Sequence, residues 1–147
     1  MKLFLDKYKH LGLNEFVWTD DYIDRVVEGE GIEIINSSGK FSWYMTVENE
    51  PFIVLPRRLK GLRRTFALLH ELGHHFRHYG ETPNQAFFHG LHDVQDAKDE
   101  AEADAFALVA LIPLDKIDSF DFLEEHPNRY ARKLFEDRKK LKFLYGV

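Results

Sequence analysis

Apolar positions along this chain change period several times, and each change marks an element. Residues 3 to 11 carry the pattern of a short helix. Thr19 stands where an N-cap belongs, with Asp20 and Asp21 behind it, so a second helix should run from Asp20 to Glu28 and stop at Gly29-Glu30-Gly31. Three strand-like runs follow, Ile32 to Asn36, Phe41 to Val47 and Phe52 to Leu55. Between them Asn36-Ser37-Ser38-Gly39 reads as a hairpin turn and Glu48-Asn49-Glu50-Pro51 as another turn. From Arg58 to Tyr79 the period lengthens: Leu62, Phe66, Leu69, Gly73 and Phe76 recur at steps of three and four, one buried helical stripe. Asp99 to Leu111 is a run of strong helix formers, apolar on nearly every side beyond Glu102 except at Asp104, and Pro113 ends it. Pro127 to Tyr145 reads as a last helix. This order predicts an α+β fold, a small antiparallel three-stranded sheet with two long helices packed on it. The connection between those helices, Gly80 to Gln95, is long for a small domain and holds Phe87, Phe88, His89 and His92, so it is expected to wall a cleft.

Composition narrows the class. With 147 residues, 44% of them hydrophobic, and no Pro/Gly/Ser-rich linker, residues 1–147 are expected to form one domain around one core. The absence of cysteine excludes disulfide frameworks, cysteine-zinc ribbons and thiol nucleophiles. No apolar run approaches the length of a membrane span, and Met1-Lys2-Leu3-Phe4-Leu5-Asp6 is interrupted too early for a signal peptide, so a cytoplasmic protein with no membrane partner is expected. The net charge of −5 argues against generic, direct binding of nucleic acid. Two basic clusters stand against that balance: Arg57, Arg58, Lys60, Arg63 and Arg64 before the first long helix, and Arg129, Arg132, Lys133, Arg138, Lys139, Lys140 and Lys142 on the last. Both suit solvated helix faces; docking of an acidic partner is the sharper reading.

Within the first long helix, His70, His74 and His78 form a second stripe beside the apolar one, at the border of the core. Two imidazoles one turn apart can close on a single ion, and Glu71 lies about a quarter turn round, near enough to take a proton from a water there. With eight histidines in the chain the pentapeptide His70-Glu71-Leu72-Gly73-His74 is modest evidence by itself, and ordinary helix-border histidines would look the same. The segment from Asp99 adds weight. Glu100 and Asp104 are one turn apart on a helix built for burial, where an ionised carboxylate costs several kcal/mol unless a positive charge compensates it. Glu100 can complete a two-histidine, one-glutamate set that leaves a fourth position open. Asp104 can accept the free ring N–H of a ligand histidine and fix its tautomer. The plainer alternative makes Glu100 a first-turn carboxylate and Asp104 the partner of an arginine. Gly73, a poor helix former, suggests close packing against another element.

These residues resemble a known family. His70-Glu71-Leu72-Gly73-His74-His75, followed by His78, then Glu100 to Ala107 as E-x-E-A-D-x-F-A and Leu111-Ile112-Pro113, together with Pro51 to Pro56, look like the ImmA/IrrE metallopeptidases, within the wider gluzincins. That family more often has asparagine where this chain has Asp104. The resemblance implies a gluzincin-like minimal metallopeptidase fold with His70, His74 and Glu100 on one Zn²⁺ per chain, Glu71 as general base and Asp104 behind a ligand. A two-histidine, one-carboxylate set also accepts Mn²⁺ or Fe²⁺. The oxyanion-stabilising or substrate-contacting residue is open among His78, Tyr79, His89, His92 and Tyr44, for each of which a structural role is the stronger reading, since helix-end histidines and core aromatics are common. The resemblance also implies Phe41 to Val47 as the sheet edge that receives an extended substrate, and a separately encoded helix-turn-helix repressor as that substrate and partner. A metal-binding interaction or sensor module without hydrolysis is the alternative. Glu71 favours the enzyme, since metal binding alone does not need it.

Overall fold

A computed structural model describes residues 1–78, 86–88 and 94–147. The protein is α+β, with helices packed on a small sheet. Helix α1 (Lys2–Asp6) leads through a turn of 3-10 helix at Lys9–Leu11 to α2 (Asp20–Gly29). As its sequence requires, α2 opens on Thr19, whose side-chain oxygen accepts a hydrogen bond from the Tyr22 backbone N–H at 3.2 Å.

The sheet departs from the expected one. It has four strands in the order β1-β3-β2-β4 and is mixed: β1 (Glu33–Ser37) runs parallel to β3 (Glu50–Pro56), and β2 (Trp43–Val47) runs antiparallel to both β3 and β4 (Ala86–Phe88). The predicted hairpin at Asn36 to Gly39 is therefore absent, although Gly39 N–H does donate to Ser37 Oγ at 3.2 Å; the chain there crosses the end of β3 to its far side. Burial explains the choice. Ile53, Val54 and Leu55 of β3 are all buried, so β3 takes an interior place, whereas β1 has not a single buried residue and suits an edge. The second turn forms as a tight hairpin between Val47 and Glu50, with Glu48 and Asn49 both at positive φ, 52° and 65°.

The two long helices are α3 (Gly61–His78) and α4 (Val94–Leu111), and among the described residues their packing on each other is the most extensive between any two elements. Gly73 makes that approach possible. A Cβ added there would lie 3.0 Å from the Ala103 Cα and 3.2 Å from the Phe106 Cβ. Around this crossing Leu69, Leu72, Phe106 and Val109 join Trp18, Ile53 and Leu55 in one core, with Tyr8 and Phe76 rings 4.8 Å apart at its rim. After Pro113 a turn of 3-10 helix and α5 (Asp121–Glu125) lead to α6 (Arg129–Tyr145), capped by the Asn128 side chain, which accepts from Ala131 N–H at 2.8 Å. Arg138 of α6 is wholly buried: its Nε donates to the Ile112 carbonyl at 2.6 Å and one terminal nitrogen reaches Asn14 Oδ1 at 3.0 Å and the Val147 carbonyl. Burial pushes its guanidinium down to about 10, still a cation at neutral pH. Among the described residues no helix is long and apolar enough to cross a membrane.

Candidate metal centre

Helical spacing places His70 and His74 on one face of α3, and the Gly73–Ala103 contact brings α4 in beside them with Glu100 one turn before Ala103. Three donor groups converge as a result. The Nε2 atoms of His70 and His74 are 3.2 Å apart, and the Glu100 carboxylate spans them, Oε1 at 2.6 Å from His74 Nε2 and Oε2 at 3.0 Å from His70 Nε2. Glu71 is fully buried beside them, and suitable atoms of His70, Glu71 and His74 lie within 4.8 Å of one another, a group that could hold a metal ion. The donor set fits. A tetrahedral zinc with Zn–N bonds of about 2.0–2.1 Å holds its ligand atoms roughly 3.3 Å apart, close to the histidine spacing.

The other ring nitrogen of His70, Nδ1, lies 2.6 Å from Asp104 Oδ1. This contact commits the Nδ1 proton to the carboxylate and leaves Nε2 facing Glu100 and His74. Burial alone would lower the pKa of His70. Hydrogen bonds to Asp104 and Glu100, with the charge of Glu71, outweigh it and raise the ring to about 10. Glu100 shows the converse: burial favours its neutral form, but hydrogen bonds from His70 and His74 hold its carboxyl well below the usual carboxylate range.

The degree of burial differs from expectation. The Asp104 side chain is 55% exposed and that of Glu100 20%, and both line an open cleft rather than a sealed interior. The carboxylates buried on α4 are Asp99 and Glu102, to which the sequence pattern assigned no role. Arg77 Nε lies 3.0 Å from Glu102 and 3.6 Å from Asp99, and His78 Nε2 lies 3.3 Å from Asp99. His78, a candidate substrate contact, thus stands buried behind His74, their rings stacked at 6.1 Å. Tyr44, another candidate, is also wholly buried. Its hydroxyl lies 2.9 Å from His75 Nδ1, and His75 Nε2 lies 2.9 Å from Glu30, a chain that ties β2 and the residue that ends α2 to α3. Burial lowers the pKa of His75 despite the Glu30 carboxylate. Tyr79, His89 and His92 lie outside the described residues. The expected substrate edge is corrected too: over Trp43 to Met45, β2 is already paired with β4.

The cleft beside the centre has a volume of about 300 Å³ and is lined by Ser42, Leu59, Arg63, Phe66, Ala67, His70, Glu100, Asp104 and Tyr130. Two of its walls escaped the sequence reading. Arg63 precedes His70 by seven positions, the spacing of one helix face, and that signal could have singled it out of the basic cluster. Tyr130 comes from α6, and nothing in the local pattern joins it to the site.

Compared with known families, residues 27–142 match the model of the M78 peptidases, described as the IrrE N-terminal-like domain. Neither a curated protein nor a solved structure matches the chain.

Proposed function

Starting from the M78 peptidase family, to which this chain belongs, we propose that the protein is a zinc-dependent endopeptidase with Glu71 as its general base. The observation that carries this reading is the convergence of His70 Nε2, His74 Nε2 and the Glu100 carboxylate beside a buried glutamate. When bound, zinc would supply a Lewis acid that polarises the scissile carbonyl and lowers the pKa of water towards neutrality. His70, His74 and Glu100 would hold it, and Asp104 would keep the His70 ring turned towards it. Glu71 takes the proton of the attacking water and passes it to the leaving amine, so one carboxylate serves as base and then as acid. The cleft along α3 gives the substrate chain a place to lie.

The proposed substrate is a separately encoded helix-turn-helix repressor, a substrate class drawn from family resemblance. Zinc-loaded protein and a Glu71→Gln variant should be incubated with such repressors encoded nearby. The expected outcome is discrete fragments with the parent protein, equal metal content in both, and turnover reduced by about 10²-fold or more in the variant. Equal cleavage by both would remove Glu71 from the mechanism. A stable complex with no cleavage by the parent would instead favour a non-hydrolytic binding module.

A further inference from the structure

The cleft that opens on His70, Glu100 and Asp104 holds one cation with no acidic partner among the described residues. Arg63 lies with its guanidinium carbon 4.1 Å from the centroid of the Tyr130 ring, close enough for a cation–π contact. Two neighbouring arginines are engaged: Arg58 donates to the Lys40 carbonyl at 3.0 Å and Arg64 to Asn36 Oδ1 at 2.7 Å. The acids of the cleft are engaged as well, Glu100 with both histidines and Asp104 with His70. Stacking on an aromatic ring holds the guanidinium plane while leaving its edge, with the N–H donors, free for a ligand. Phe66 and Leu59 give the same cleft an apolar floor.

We propose that Arg63, held by Tyr130, is a specificity-determining residue that receives a carboxylate of the peptide substrate. This rests on the peptidase reading of the neighbouring centre. Its position along the substrate follows from helix geometry. Seven residues of α-helix separate Arg63 from His70, about 10.5 Å at 1.5 Å per residue, and an extended peptide rises about 3.3 Å per residue. A peptide lying along α3 therefore presents its carboxylate about three residues from the scissile bond. The planar, two-pronged guanidinium favours bidentate recognition of a carboxylate over a neutral amide. Tyr130 is a positioning residue, acting through Arg63. Its ring lies in the same cleft lining as Arg63 and Asp104, and its hydroxyl pKa is raised, chiefly by burial, with the Arg63 charge opposing.

The test uses the zinc-loaded Glu71→Gln chain, so binding is read without turnover. Fluorescent twelve-residue Ala/Ser/Gln peptides carry one Glu walked through successive positions, each with a free and an amidated C-terminus. The expected result is about fivefold or greater preference for Glu over Gln at one position, weakened by high salt and reduced towards one by Arg63→Gln. Tyr130→Phe should retain the preference and Tyr130→Ala should reduce it. A Glu-over-Gln preference at one position that survives amidation marks an acidic side chain as the carboxylate that the subsite takes, and it supports the proposal. Absence of positional preference, no binding by any Glu peptide, or a preference unchanged in Arg63→Gln overturns it. Binding with the expected preference, together with no cleavage by the parent protein, would sink the peptidase reading and leave the subsite standing.

Discussion

Each ring nitrogen of His70 meets a different carboxylate, and this double commitment governs how the centre responds to pH. In the metal-free protein the ring is raised from 6.5 to about 10, because the hydrogen bonds of Asp104 and Glu100 outweigh burial. The sign follows directly. The ionised ring contributes its full stability below about pH 6.5, and that contribution is lost as pH rises towards about 10. A metal needs the Nε2 lone pair, so metal and proton compete for the same atom. Apparent zinc affinity should therefore rise by close to tenfold per pH unit between pH 7 and 9, as read by competition with a chromophoric chelator. A flat profile over that range would show that His70 is already neutral. None of this was written in the spacing of His70 and His74, which predicts proximity but not protonation.

At the scale of the element, the contact of α3 with α4 decides whether the donor set exists at all. Gly73 is the point of closest approach, and what a side chain would meet there is mainly the Ala103 backbone, which cannot swing aside. Gly73→Ala should gain about 1 kcal/mol in helix propensity and lose about 1–3 kcal/mol to overpacking, for a net loss near 1 kcal/mol. It should also weaken metal binding, since Glu100 lies one turn from the crossing. Urea unfolding and a metal titration on the same variant would check both; a more stable variant with unchanged affinity would contradict the account. These helices were legible because a period of 3.6 fixes which residues share a face, for His70 and His74 as for Glu100 and Asp104. The strand order was not legible. Periodicity identifies a strand and its faces, but β3 takes the centre by competing with β1 and β2 for burial on both faces, a comparison no single run of residues contains.

Across the whole molecule, the features hidden from the sequence are those that join distant segments. Tyr130 reaches the cleft from α6, and Asp99 and Glu102 turned out to be the buried acids because Arg77 and His78 face them from α3. Arg138 is the extreme case, a basic residue in a run that reads as a solvated face, yet wholly buried. Its guanidinium gathers Asn14, Ile112 and Val147, a reach of 124 positions to the first of these. The Asn14 contact, 124 positions away, is expected to close only after the core between the two segments has condensed, which predicts that the clasp completes late in folding. Its loss, as in Arg138→Met, should cost about 2–4 kcal/mol by leaving buried carbonyls without a donor. In a stopped-flow chevron nearly all of that cost should appear as faster unfolding, with the refolding arm little changed; slower refolding would place the clasp in the nucleus instead. The buried cation then matters chiefly for how long a folded molecule lasts, acting as a lock on the way out and contributing little to the way in.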